Sequence, residues 1–367
     1  MILNNHTDIN TFLDETQKYL EENEGLNNLM LGICNRIKNN PDYYDDVYMA
    51  TVRENDELVL AGLITAPQKL VVYSNMEECD EAIELLLNDL LNRNIYIPGV
   101  VGPKELSIRV CDIWSKHVAC SIKLEMNMRV YELRKVNKEL IGQGIFRVAN
   151  ENDLDFIAQG IYEFEIDAGL NSTPDKEKCY EVASARLQEK IVFLWEDEGK
   201  VVSMAAKTRP TQNGATVALV YTPKNLRGKG YATSCVASLS QHLLDIGYKF
   251  CTLFTDLANP VSNSIYMKIG YKPVGDFDGY IFQTIESRCG ILCSTCEYKE
   301  SMGCKGCTLI DKPFWGEACP VKSCCESKEL DHCGNCDVFP CELLTQFSYD
   351  EKQGDNGRRI EQCKKWS

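Results

Sequence analysis

The stretch Val220-Tyr221-Thr222-Pro223-Lys224-Asn225-Leu226-Arg227-Gly228-Lys229-Gly230-Tyr231-Ala232-Thr233 concentrates the residue types that hold a pyrophosphate. A β-rich segment runs into a glycine turn, and an amphipathic helix follows. Glycine lets the backbone approach an anion closely. The free N–H groups and positive end of the helix then bind it, and Arg227 and Lys229 add charge. The contacts expected here run from Val220 and Thr222 through Arg227, Gly228, Lys229, Gly230, Tyr231, Ala232 and Thr233. Neither the P-loop spacing Gly-x-x-x-x-Gly-Lys-Ser/Thr nor the dinucleotide spacing Gly-x-Gly-x-x-Gly occurs in this stretch.

A second chemistry belongs to the cysteines. Of 19 in the 367-residue chain, twelve fall after residue 288. Cys293-x-x-Cys296, Cys304-x-x-Cys307 and Cys333-x-x-Cys336 are three two-residue knuckles, a spacing that lets two thiolates grip one tetrahedral ion. Cys293, Cys296, Cys304 and Cys307 form one candidate zinc site. Cys319, Cys324 or Cys325, Cys333, Cys336 and Cys341 supply a second. An iron–sulfur cluster is the rival to zinc and disulfides come third. The chain start shows no basic and apolar leader, which points to a cytoplasmic protein with reduced thiols.

Apolar periodicity gives the elements that must position these groups. Helices are expected at 7–23 and 26–39, a hairpin at 47–53 and 57–65, and a strand at 69–73. A helix at 77–93, a strand near 95–101, a helix near 105–118 and a strand near 123–133 follow. The order then recurs. It runs through a strand at 146–149, helices at 153–168 and 176–189, and a hairpin at 191–195 and 200–208. A strand at 216–221, a helix at 230–246, a strand at 250–255, a helix at 259–269 and strands within 272–285 complete it. Residues 1–140 and 145–285 therefore read as two copies of one α/β unit, of mixed sheet flanked by helices. Residues 286–367 have no sustained period and read as a small cysteine-rich, zinc-binding domain, with a polar, mobile segment at 350–359.

The pattern Arg227-x-x-Gly230-x-Ala232 resembles the acetyl-CoA pyrophosphate motif of the GNAT superfamily of N-acetyltransferases. The downstream run Asn259-Pro260-Val261-Ser262-Asn263-Ser264-Ile265-Tyr266-Met267-Lys268-Ile269-Gly270-Tyr271 resembles its second signature. The resemblance covers roughly 145–285. It implies an acetyl-CoA-dependent N-acetyltransferase in which an amine attacks the thioester in a gap between two splayed parallel strands. A strand N–H near Leu219 or Val220 would receive the oxyanion, and Tyr266 would protonate the leaving thiolate. Asn259 would bind near the pantetheine arm. Glu163 or Glu165, on the helix walling the acceptor site, would take the amine proton.

The first copy has Ser74-Asn75-Met76-Glu77-Glu78-Cys79-Asp80 at the corresponding position, acidic and without glycine, and is expected to bind no CoA. The string Cys289-Gly290-Ile291-Leu292-Cys293-Ser294-Thr295-Cys296, with Cys304-Lys305-Gly306-Cys307 and Phe339-Pro340-Cys341, resembles a small bacterial and archaeal cysteine-rich domain of unknown function.

A formal charge of −15 argues against a general nucleic-acid binder. The longest apolar run, 58–64, is too short to span a membrane. The acceptor that the resemblance implies is an amine, on a small molecule, a peptide or a protein lysine. The alternatives to catalysis are a CoA-binding metal or redox sensor and a module that docks a partner through its cysteine-rich end.

Overall fold

The structure, a computed structural model, describes residues 1–118 and 120–367, with the side chain of Glu300 left out. The first half runs β1 (Ile2–His6), α1 (Ile9–Glu21), α2 (Asn28–Asn39), β2 (Val47–Glu54), β3 (Glu57–Thr65) and β4 (Leu70–Tyr73). It continues with α3 (Asp80–Asn92), β5 (Gly99–Pro103), α4 (Lys104–His117) and β6 (Cys120–Leu133). The second half runs β7 (Ile145–Val148), α5 (Leu154–Asp167), α6 (Lys176–Gln188), β8 (Val192–Asp197), β9 (Lys200–Thr208) and β10 (Gly214–Tyr221). Then come α7 (Tyr231–Asp245), β11 (Phe250–Asp256), α8 (Pro260–Ile269) and β12 (Lys272–Thr284). Both halves share one order of strands and helices. The opening strand β1, whose polar residues Asn4 and Asn5 hide any alternation, was not foreseen.

Local chemistry sets the element ends. Asp8 caps α1 by accepting the Asn10 N–H at 2.9 Å. The β2–β3 hairpin turns on Asn55 and Asp56 at φ 49° and 66°, and the β8–β9 hairpin on Glu198 and Gly199 at 49° and 75°. Two successive residues at positive φ match the right-handed twist of the flanking strands.

All twelve strands form one mixed sheet in the order β1-β2-β3-β4-β5-β12-β6-β11-β10-β9-β8-β7. Five strands of one half enter from each edge. The last strand of each half is then inserted beside the other half's fifth: β12 pairs with β5, and β6 pairs with β11. β6 and β12 run antiparallel through the middle, where Arg129 and Asp276 stand opposite each other. Their fork–fork contact has Nε–Oδ1 2.6 Å and Nη2–Oδ2 2.9 Å. The division at 140–145 thus separates two runs of like element order that share one sheet.

Helices cover both faces. α5 and α6 bury Ile157, Ile161 and Ala183 against Leu194, Met204 and Ala206 of β8 and β9. α7 and α8 pack Val236, Leu239 and Ile269 on the opposite face, against Ala205, Val217, Cys251 and Leu253. Strand alternation forces this division, since successive side chains point to opposite faces.

The C-terminal region holds short helices α9 (Tyr298–Ser301), α10 (Pro320–Ser327), α11 (Glu342–Ser348) and α12 (Arg358–Trp366). Its core joins Val321, Leu344, Cys363 and Trp366 to Ile285. The segment expected to be mobile is anchored instead. The Asp355 carboxylate accepts from Ser348 Oγ and from Arg359 Nε, each at 2.9 Å, and so sets the start of α12. Among the described residues no helix is long and apolar enough to cross a membrane.

Candidate active site

β10 and β11 are parallel and pair through Gly214–Phe250, Ala215–Cys251 and Thr216–Thr252. Beyond Thr216 the pairing ends. On its other side β10 bulges against β9 between Ala218 and Tyr221, with Leu219 at φ 51°. A bulge removes residues from the ladder and turns their backbone groups aside. A left-handed conformation at a leucine is a strained one that its surroundings must hold. The expected oxyanion donors, near Leu219 and Val220, therefore sit at an interrupted strand beside a diverging one. A continuous strand reading of 216–221 could not show this, because nothing in Val217-Ala218-Leu219-Val220 marks a bulge.

The chain leaves β10 through Thr222 and a single 3-10 turn at Lys224–Leu226, and α7 begins at Tyr231. Gly228 and Gly230 have φ 80° and 85°, and a Cβ added at either would meet nothing within 4 Å. Glycine is required here by conformation, and the space over the backbone is open. The first helical bond is Ser234 N–H to Gly230 O at 3.0 Å. The N–H groups of Tyr231, Ala232 and Thr233 consequently have no partner within the helix. This assembles the loop expected from sequence.

Two of its cations, Arg227 and Lys224, are already engaged. Arg227 Nε donates to Thr222 O at 2.9 Å, and its Nη2 reaches Asp167 Oδ2 at 2.5 Å. Lys224 Nζ lies 3.0 Å from the same carboxylate. Asp167, at the end of α5, was not singled out from sequence, although its place one turn after Glu163 was the available signal. Arg227 is the first cause of its lowered pKa, with Lys224 helping. Tyr231 OH donates to Asp197 Oδ2 at 2.5 Å. Lys229 is exposed.

The catalytic candidates are placed unequally. Tyr266 lies on α8, buried, with its ring edge-on to Tyr271 at 6.1 Å. Burial pushes its phenol up to about 12. Glu163 is a different group from the general base expected. Its Oε2 accepts from Tyr221 OH at 2.6 Å and its Oε1 from Gln159 at 2.8 Å. The Tyr221 hydroxyl, above all, holds its pKa below the usual carboxylate range. A carboxylate so stabilised is a weaker base. Glu165 acts on Cys179 of α6. Asn259 caps α8, its side chain accepting from Ser262 N–H at 3.0 Å, which gives it a structural role. Cys235 and Cys251 are fully buried, and burial raises both thiols to about 12.

Twelve of the cysteines lie in the C-terminal region. All nineteen cysteines are free, and among the described residues no three Cys, His, Asp or Glu side chains converge as ligands. Neither Cys293, Cys296, Cys304 and Cys307 nor Cys319, Cys324, Cys333, Cys336 and Cys341 form such a group among the described residues. Several thiols are used otherwise. Cys293 donates to Glu286 O at 3.3 Å, and Cys307 accepts from Arg288 N–H at 3.1 Å. Cys333 lies 3.5 Å from Cys325, and Cys336 accepts from Lys328 at 3.3 Å. Burial raises Cys293 to about 11 and Cys307 to about 12. Two-residue spacing permits a knuckle but does not fix where the knuckles point.

Comparison with known proteins agrees with the fold. Residues 158–271 match the Acetyltransferase (GNAT) family, and residues 285–346 match a protein family of unknown function, DUF3795. A Drosophila protein of known structure superposes at a TM-score of 0.52 with 12% identity, over 77% of this chain and 98% of that one. A GNAT-family acetyltransferase from Colwellia psychrerythraea gives 0.46 at 12% identity, over 77% of this chain and 100% of its own. A GCN5-related N-acetyltransferase from Sphaerobacter thermophilus gives 0.48 at 11%, over 67% and 84%. No curated protein sequence matches the chain. Residues 158–271, which hold the interrupted β10, the diverging β11 and the glycine loop ahead of α7, are thus similar to the Acetyltransferase (GNAT) family, and residues 285–346 to the DUF3795 family.

Proposed function

We propose that the chain transfers an acetyl group from acetyl-CoA to an amine by direct attack on the thioester. The observation that carries this is the bulge at Leu219 and Val220, set where β10 leaves β11 and directly ahead of the Gly228–Gly230 loop. The pyrophosphate would lie on the N–H groups of 228–233, displacing Asp167 from Arg227. The thioester would then enter the gap between the strands. The neutral amine attacks the carbonyl carbon and a C–N bond forms. The oxyanion takes a strand N–H near Val220. The C–S bond breaks, and Tyr266 returns a proton to the sulfur. The amine's proton passes to water, because Glu163 is held as an acceptor for Tyr221.

The first half is read as a degenerate copy that binds no CoA. In place of a glycine loop it has Asn75, whose N–H is taken by Tyr19 OH at 2.8 Å, followed by Glu77, Glu78 and Asp80. It serves the reaction by covering the acceptor side.

Tyr266→Phe is the decisive variant. Acetyl-CoA binding by calorimetry should be unchanged, while kcat against an amine panel should fall about 100-fold, the scale of a lost general acid. Tight CoA binding without turnover on any amine would reject the enzyme in favour of a CoA-binding sensor.

A further inference from the structure

Three arginines that no motif singled out converge on the sheet face that carries Thr216, Thr252 and Phe254. The pairing of Thr216 with Thr208, and the hydrogen bond of Thr216 to Asn28 of α2, fix this face as the one covered by α2 as well as by α5 and α6. Arg209 follows β9 and packs against α2 so closely that a Cβ at Gly32 would meet its Cβ at 2.8 Å. Asn35 Nδ2 donates to Pro210 O at 3.0 Å and holds that turn. One helical turn beyond Gly32 is Arg36, whose charge acts on both Arg209 and Arg186 of α6. The Arg209 guanidinium lies 5.0 Å from the centre of the Phe254 ring. Phe254 is two residues past the last β10–β11 pair, on the strand that borders the gap.

Among the described residues Arg209 lacks the counter-charge that a buried guanidinium normally carries. Arg209 Nε and Arg186 Nη1 are buried without a hydrogen-bond partner. Glu189 is the carboxylate that acts on Arg186, whereas the one charge acting on Arg209 is another cation. Burial lowers Arg209 to about 10, so it is still charged at neutral pH. Arg36 is exposed at the outer end, stacked 4.8 Å over Tyr43 and donating to its hydroxyl at 3.3 Å. In a chain of net charge −15, two cations with buried, unpaired N–H groups beside a third, exposed one are costly unless an anion joins them. Planar guanidinium forks suit carboxylate and phosphate oxygens.

We propose that the acceptor amine carries an anionic group, a carboxylate or a phosphate, seated among Arg36, Arg186 and Arg209, with its amine directed to the gap between β10 and β11. This rests on the acyl-transfer reading above.

The test uses the full chain and matched probes: 4-aminobutyrate against n-butylamine, and O-phosphoethanolamine against ethanolamine. Calorimetry without acetyl-CoA should show the anionic member of at least one pair binding at least about tenfold more tightly than its neutral partner. The pair that shows this identifies carboxylate or phosphate. Arg209→Gln, Arg186→Gln and Arg36→Gln should each erase that preference. Arg36→Gln, at the exposed rim, carries the test if an inner variant fails to fold. In turnover assays the ratio of kcat/KM for anionic over neutral amine should fall by about the same factor. Equal binding of both members of both pairs by the wild type, or a preference that survives all three substitutions, would overturn the anion site. Anion binding lost in the variants, with no amine acetylated by the wild type, would retain the site and reject acyl transfer.

Discussion

Gly230 and Glu163 carry the sharpest expectations at the scale of single residues. Gly230 sits at φ 85° with open space above it, and a side chain there is strained by about 1–2 kcal/mol before it meets any ligand. Gly230→Glu also places a carboxylate over the N–H groups that would hold the pyrophosphate. Acetyl-CoA affinity should drop at least about tenfold by calorimetry, with the fold retained by circular dichroism. For Glu163 the expectation is opposite in kind. Its short contact with Tyr221 makes it a positioning residue, so Glu163→Gln should change kcat by less than about threefold. A general base would cost about 100-fold or more. A loss of that larger size, steepest at low pH, would restore Glu163 to the chemistry.

Among the elements, the junction of β7, α5 and β8 is held by one cation. Arg147 forks onto Asp153 at 2.7 and 2.8 Å and reaches Glu196 at 2.6 Å. Asp153 also accepts the Asn150 N–H at 2.8 Å, closing a capping box at the start of the helix. Burial alone would raise the Asp153 pKa, but Arg147 and that N–H outweigh it and lower it. A depressed carboxyl pKa contributes stability that is present above the unfolded value, about 3.9, and is lost as pH falls through the lower folded value. Asp153→Asn should therefore cost about 1–3 kcal/mol near neutral pH and flatten the acid limb of stability below about pH 4. Urea unfolding at pH 7 and pH 3 measures both. An unchanged acid limb would mean that the fork contributes nothing in solution.

For the whole molecule, strand exchange makes each half depend on the other. β11 is paired with β6 from Cys251–Leu133 to Asp256–Met128, and β12 with β5 from Phe277–Pro103 to Ile281–Gly99. A fragment of residues 145–285 loses β6 and exposes β11 as an apolar edge. It should aggregate or remain unfolded, because an unpaired central strand offers a row of unmet N–H and C=O groups. Residues 1–285 should stay folded and monodisperse. Size-exclusion chromatography and hydrogen exchange distinguish the two, and a stable 145–285 monomer would show the exchange to be dispensable. The N-terminal half is thus part of the sheet that forms the site, and its α2 supplies Arg36 and the close packing at Gly32.

Sequence alone determined the parts of this protein that are written locally. The glycine loop was legible because a helix N-terminus after a strand needs residues that tolerate positive φ. The hairpins were legible in Asn55-Asp56 and Glu198-Gly199, and the alternation of helices and strands in apolar period. The mixed α/β fold and its GNAT-like second half followed from these. Tertiary structure decided what depends on distant chain segments meeting. Strand exchange is invisible in periodicity, because β6 and β12 read alike whichever neighbour they pair with. The bulge at Leu219 is imposed by β9, the role of Glu163 by Tyr221, and the Arg209 environment by α2 and α6. The cysteine knuckles show the same limit. Their spacing is a property of the chain, but convergence on an ion is a property of packing.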